Sequence, residues 1–164
     1  MRRRFADLRA PVQGVPIRAN SRDAAVLLPV FEEAGEARIV LTKRPEHLLD
    51  HRGEIAFPGG KVDPQVDASA RDAALREAEE EIALPRSSVD VIAELEHLPT
   101  VVGPFVIAPF VGIVDGRPAL VPSPGEVDRV FDVALSELLA EGVHREEHWD
   151  RPGNQSAAIH FFEL

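Results

Sequence analysis

Three glutamates set where the chemistry of this chain should be sought. Glu77, Glu80 and Glu81 stand at i, i+3 and i+4, which puts them on one face of any helix that runs through them. Glu79 points the other way and reads as a solvated charge. Like charges at these spacings oppose each other by roughly 0.2–0.5 kcal/mol per pair. The acids also fall in late turns, toward the negative end of the helix dipole, where each loses about 0.3–1 kcal/mol. No lysine lies within four residues of them, and only Arg76 is close. A solubilising helix interleaves lysine and places its acids early; the reverse order suits a cation. Hard divalent ions such as Mg²⁺ and Mn²⁺ take several converging carboxylate oxygens. For such a run taken alone, a solvated acidic face is the competing reading.

The elements around the run must position it. Just upstream, Phe57-Pro58-Gly59-Gly60-Lys61 offers a tight turn and close backbone approach, the device that lets main-chain N–H groups meet a phosphate. A helix is predicted over Ser69 to Leu84, with Leu75, Ala78 and Ile82 on its apolar stripe, Asp67 or Ser69 as its cap and Pro85 as its stop. Before it, Ala24 to Phe31 reads as a buried strand, Glu32 to Glu36 as a turn and Arg38 to Thr42 as the returning strand of a hairpin. Pro45 to Gly60 is loop-rich. Val89 to Leu98 and Phe105 to Val114 read as strands, Val130 to Glu141 as a second helix, and Ala157 to Phe162 as a closing strand. Residues 1–20 form an arm. Strands outnumber helices, so the expected class is α/β, a mixed sheet with helices packed on it.

Together the glycine loop and the acidic helix resemble the signature of the Nudix hydrolases, matched at Gly60, Arg76, Glu77, Ala78, Glu80, Glu81 and Leu84. The resemblance implies an α/β/α sandwich over residues 21–164. It implies metal binding, Mg²⁺ or Mn²⁺, by Glu77, Glu80 and Glu81, and Arg76 orienting the acids by a charge-assisted bond. The implied reaction is hydrolysis of a diphosphate linked to another group. Two positions depart from the pattern. The interval from Gly60 to Arg76 is two residues longer than usual, which leaves Asp67, with Asp63 behind it, as the spacer acid and a further metal ligand. The helix-ending glycine is Ala83, where a left-handed cap costs alanine up to ~1 kcal/mol.

Val40-Leu41-Thr42-Lys43-Arg44, followed by Gly53-Glu54-Ile55-Ala56-Phe57-Pro58-Gly59-Gly60, looks like the coenzyme A diphosphatase subgroup. Its implied substrate is coenzyme A or an acyl-coenzyme A, cleaved to 3′,5′-ADP and (acyl-)4′-phosphopantetheine. Gly59, Gly60, Lys61, Arg44 and Arg52 are then the expected substrate contacts, with Lys43 nearby. An arginine often found in the subgroup is Leu49 here. A general base near the metals is expected from Glu80, Glu81 or Glu126, the last of which also reads as an acid at the start of the second helix. A Nudix enzyme acting on ADP-ribose or NADH is the alternative within the class; a Nudix-fold binding module without catalysis is the alternative outside it.

Composition bounds these readings. The 164 residues suit one domain, and 45 % hydrophobic content rules out wholesale disorder. A net charge of −10 argues against a nucleic-acid binder, yet admits a phosphorylated substrate whose charge a metal offsets. The absence of cysteine excludes disulfides, thiolate metal sites and a cysteine nucleophile, and a cytoplasmic setting is expected. No apolar stretch reaches the ~20 residues of a membrane span. His144 and His148 flank Glu146-Glu147, but a zinc-protease helix needs glutamate directly after the first histidine, and a loop is expected there. Ser123 and Ser136 lack a nucleophile-elbow context. Family members usually continue past a strand like Ile159-His160-Phe161-Phe162 into another strand and a final helix; with Leu164 the last residue given, either the sequence is short or that element is missing, and the face it would cover, with a possible homodimer contact, is then incomplete.

Overall fold

A computed structural model describes residues 22–47, 53–100, 105–151 and 155–163. The expected arm over residues 1–20, together with Leu49 and Arg52, lies outside the described residues.

Strand β1 (Arg22–Glu33) turns through Ala34-Gly35 into β2 (Glu36–Lys43), the hairpin expected from the two apolar runs. Two short strands follow, β3 (Ile55–Ala56) and β4 (Gly59–Lys61), and then the helix α1 (Ala70–Ile82). A single 3₁₀ turn at Arg86–Ser88 leads into β5 (Val89–Glu94), β6 (Leu98–Pro99) and β7 (Phe105–Val114). These strands and β8 (Arg129–Ala134) make one eight-stranded mixed sheet, in which β1 runs parallel to β7 and antiparallel to β2 and β4. A helical turn α2 (Leu135–Leu138) follows β8, and a separate hairpin joins β9 (His144–Arg151) to β10 (Gln155–Phe162).

The period-2 alternation of the central strands builds two cores. Ala25, Leu27 and Phe31 of β1, Val40 of β2 and Ala108, Phe110 and Val114 of β7 face α1 and pack on its Ala74, Ala78 and Ile82. Val30, Ile39 and Ile113 face the other way and are covered by Leu135 and Leu138 of α2. Sheet between helices is thus realised with one long helix and one short one. Among the described residues no helix is long and apolar enough to cross a membrane.

Helix α1 is specified at both ends. The Ser69 hydroxyl accepts the Asp72 N–H at 3.1 Å, so Ser69 is the cap and Asp67 is released for other work. At the far end Ala83 takes the left-handed conformation, φ 54°, and its N–H closes onto the carbonyls of Ala78 and Glu79. Alanine carries the strain that glycine would not. Ala83→Gly should therefore stabilise the domain by about 0.5–1 kcal/mol, read as a melting temperature roughly 2–4 °C higher. A fall in melting temperature would show that the cap conformation is wrong.

Two expectations are corrected. Residues 130–141 are not one helix: 129–134 form β8, in register with β2 from Arg38↔Ala134 to Lys43↔Arg129, and only Leu135–Leu138 turn helically. Val130, Phe131 and Val133 are β-branched or aromatic, and pairing with β2 outweighs the helical spacing of Val133, Leu135, Leu138 and Leu139. The stretch around His144 and His148 is strand β9 rather than loop. On a strand those two histidines stand roughly 13 Å apart along the chain, which dismantles the zinc-helix geometry further.

Candidate functional site

The site is built where β4 passes beneath α1. β4 is held against β1 in the register Val26↔Gly59, Ala25↔Gly60 and Ala24↔Lys61, and the Leu27 N–H donates to the Pro58 carbonyl at 2.9 Å. A Cβ on Gly59 would lie 2.3 Å from the Ala25 carbonyl oxygen, so only glycine permits this approach. On Gly60 it would fall 2.5 Å from the Glu77 carboxyl carbon. The two glycines are thus the floor on which the acidic helix rests.

Each acid of the run has its own environment. Glu81 is 7 % exposed, and the Gly59 N–H donates to its carboxylate at 3.0 Å. Burial, then the nearby charges of Glu77 and Glu126, push its pKa up to about 7 against the pull of Gly59 and Arg44. Glu77 is raised as well, burial leading, with its bond to Arg76 opposing. Glu80 stands further out, and Glu79 turns away to pair with Arg86 at 2.8 Å, the solvated role expected of it.

Arg76 ties the group together. Its Nε and Nη2 donate to the two oxygens of Asp67 at 2.8 and 2.9 Å. Its Nη1 reaches Glu77 at 2.9 Å and Glu80 at 3.1 Å, and Nη2 also meets the Lys61 carbonyl at 3.3 Å. The Asp67 side chain is 2 % exposed and further accepts the Asp63 N–H at 2.8 Å. Those bonds, Arg76 first, hold its pKa below the ordinary aspartate value although burial pushes the other way.

A loop from Asp115 to Asp128 closes the far side. Its Val121 and Ser123 N–H groups donate to the Ile82 and Glu81 carbonyls at 3.1 and 2.8 Å, satisfying the end of α1. The Asp128 N–H donates to the Lys43 carbonyl at 2.9 Å, which brings the loop to the end of β2. Glu126, on this loop, lies near enough to raise both Glu77 and Glu81.

With that geometry in place, comparison with known proteins is decisive. A model of the NUDIX domain matches residues 21–152. The chain belongs to the Nudix family. It is 45 % identical over 121 residues to a Nudix hydrolase NudL of Yersinia enterocolitica, covering 74 % of this chain and 60 % of that protein. Against the Citrobacter koseri protein of the same name, identity is 45 % over 139 residues, covering 85 % and 70 %. The chain therefore spans 60 to 70 % of the length of these curated relatives. The NUDIX domain of Shewanella oneidensis NrtR, solved in complex with ADP ribose, aligns at a TM-score of 0.58 and 15 % identity over 85 % of this chain and 86 % of that one, a likeness of fold alone.

Within this Nudix domain, Gly59, Gly60, Arg76, Glu77, Glu80 and Glu81 come together. Asp67 has partners other than those expected. Both of its oxygens are engaged by Arg76 and the Asp63 N–H, so it sits behind Arg76 instead of standing free as a metal ligand. Glu126 precedes a strand and not a helix, which removes the dipole explanation for an acid at that position. Arg44 has a buried Nε without an acceptor among the described residues. Lys61 lies over the Phe105 ring at 5.5 Å, and Lys43 pairs with Glu46 at 3.2 Å. The docking of the Asp115–Asp128 loop has no signature in residue pattern, because its contacts with α1 are made by backbone groups.

Among the described residues no three acidic or histidine side chains already converge as a coordination shell, since Arg76 draws Glu77 and Glu80 while Gly59 holds Glu81. The donor set nevertheless fits a hard cation. The buried Glu81 and the half-buried Glu77, whose pKa values are raised by burial and by neighbouring carboxylates, gain most from a positive charge beside them.

Proposed function

We propose that this domain hydrolyses the diphosphate of a nucleotide derivative, coenzyme A or an acyl-coenzyme A first, in the presence of Mg²⁺ or Mn²⁺. The observation that carries this reading is the seating of Glu77 and Glu81 on the Gly59-Gly60 strand. It gathers hard oxygen donors on one glycine strand, beside the remaining acid of the helix face. Glu77, Glu80 and Glu81 would hold the cation. Such an ion lowers the pKa of water at the site and offsets charge on the departing phosphate.

The chain's own groups supply the rest. Arg76 keeps Glu77 and Glu80 oriented, and Asp67 keeps Arg76 in place. The unpartnered Nε of Arg44 offers a donor to a phosphate oxygen, since a buried N–H left unpaired is costly and a substrate anion would satisfy it. Glu126 is exposed on its loop beside the acidic group and serves as the base that takes a proton from water, a role for which Glu80 is the other carboxylate in reach. Lys61 and Arg52 belong to the substrate contacts on the strength of the subgroup resemblance.

A panel of coenzyme A, acetyl-coenzyme A, ADP-ribose and NADH, assayed with Mg²⁺ and with Mn²⁺, tests the assignment. Release of 3′,5′-ADP from coenzyme A is the expected result. Turnover of ADP-ribose without turnover of coenzyme A would overturn the substrate class, and inactivity toward all four would overturn the diphosphatase reading.

A further inference from the structure

The hairpin of β9 and β10 forms a two-stranded sheet of its own, apart from the eight-stranded one. Successive residues of a strand alternate between its faces, and residues opposite each other in register share a face. That alternation sorts this ribbon by chemistry. His144, Glu146, His148 and Asp150 of β9 share one face with His160 of β10, which stands opposite Glu146. Arg145 and Arg151 take the other face. A face built for solubility alone interleaves cations with its acids; this one gathers imidazoles and carboxylates and carries neither lysine nor arginine.

The spacing suits one ion. Residues two apart on a strand lie about 7 Å from each other, and cross-strand partners have Cβ atoms about 5 Å apart, so Glu146, His148 and His160 can meet at a common point. Two of them already approach: His148 Nε2 lies 3.6 Å from Glu146 Oε1. Both residues are exposed, so an ion reaches them from solvent. The described side chains do not close a coordination shell by themselves. His160, by its register opposite Glu146, supplies the third position. His144 is the poorer donor, because it stands roughly 13 Å along the strand from His148 and its ring packs on Phe162 at 5.3 Å. Arg145, the neighbouring cation, is committed to Glu147 and Glu163 and covers the Phe161 ring at 5.1 Å. Two imidazoles with one carboxylate favour a borderline ion such as Zn²⁺ over the Mg²⁺ and Mn²⁺ that an all-carboxylate face suits.

We propose that Glu146, His148 and His160 form a Zn²⁺ site that clamps β9 to β10, separate from the acidic face of α1. A two-stranded ribbon is marginally stable alone, and an ion held from both strands fastens it. Two measurements test the site, and neither needs turnover. First, Zn²⁺ binding is followed by calorimetry with Mg²⁺ in excess, in the wild type and in variants. The wild type should bind Zn²⁺, and His148→Ala, His148→Gln, His160→Ala and Glu146→Gln should each weaken that binding about tenfold or more. His144→Ala and Glu81→Gln should change it by less than about threefold. Absence of Zn²⁺ binding in the wild type, binding undiminished in the His148 and His160 variants, or binding lost in Glu81→Gln instead, overturns the site. Second, the chain's single tryptophan, Trp149, follows His148 in β9. Cu²⁺ binds nitrogen and oxygen sites more tightly than Zn²⁺ and quenches a nearby indole, so it should quench Trp149 emission in the wild type. His148→Gln should need about tenfold more Cu²⁺ for the same quenching. Equal quenching in the two proteins overturns the clamp.

Discussion

Glu81→Gln is expected to lower kcat by about 10²–10⁴-fold and, at pH 8 without divalent metal, to make the protein more stable than the wild type. The two halves have one cause. Glu81 is 7 % exposed, and burial with its acidic neighbours pushes its pKa up to about 7. A folded-state pKa above the unfolded value means that the contribution is most favourable below about pH 4, where both states are protonated. It is lost as pH rises through 7, when the buried carboxylate must ionise. At pH 8 the metal-free wild type therefore carries a penalty of roughly 3 kcal/mol, which neutral glutamine avoids while still accepting the Gly59 N–H. The variant should melt roughly 6–12 °C higher than wild type at pH 8 and lose that advantage at pH 4. Added Mg²⁺ should reverse the order at pH 8, because it stabilises whichever protein binds it and the variant lacks one ligand. Thermal melts at the two pH values, with and without Mg²⁺, decide the matter. Full activity in Glu81→Gln, or a melting temperature below wild type in metal-free buffer at pH 8, would refute the role assigned to Glu81.

The same residues show how far the sequence could be read. The clustering of Glu77, Glu80 and Glu81 on one helix face, and the separation of Glu79 from them, follow from a 3.6-residue period alone, and Ser69, Pro85 and the Leu75-Ala78-Ile82 stripe bounded that helix closely. The β1–β2 hairpin was equally legible, since two apolar runs flank a turn. β8 was not. Its residues and the turn after it share helical spacing, and what decides between strand and helix is the free edge of β2, 94 residues away in the chain for the Arg38–Asp132 pair. β9 is composed largely of His, Arg and Glu, so no apolar alternation marks it. At the site, the role of Asp67 depends on a bend of the Asp63–Asp67 loop, closed by the Asp63 carbonyl and N–H, that turns its carboxylate toward Arg76 nine residues later. Counting positions identifies the acid but not its partner.

Asp67→Ala is the change expected to damage the fold most. It removes a carboxylate that is 2 % exposed from a guanidinium that is 12 % exposed, and so leaves Arg76 in place without its main counter-charge. Breaking one side of such a buried pair costs about 3–5 kcal/mol, equivalent to a melting temperature lower by roughly 6–20 °C in a domain of this size. Because Asp67 is held below the ordinary aspartate pKa, its stabilisation is present above about pH 4 and is lost as pH falls through the folded value. The gap between variant and wild type should accordingly narrow in acid. Replacing both partners, Asp67→Leu with Arg76→Met, removes the two charges together and should recover much of the stability, as apolar residues of similar volume do in place of buried ion pairs. It should not recover activity, since Glu77 and Glu80 would lose the arginine that orients them. That separation is the informative result. If the double variant regains both stability and turnover, the Arg76–Asp67 pair is a packing element and the orientation of Glu77 and Glu80 must come from elsewhere. If it regains stability alone, the pair exists to aim the acidic face of α1, and the long spacer between Gly60 and Arg76 is the means by which Asp67 reaches it.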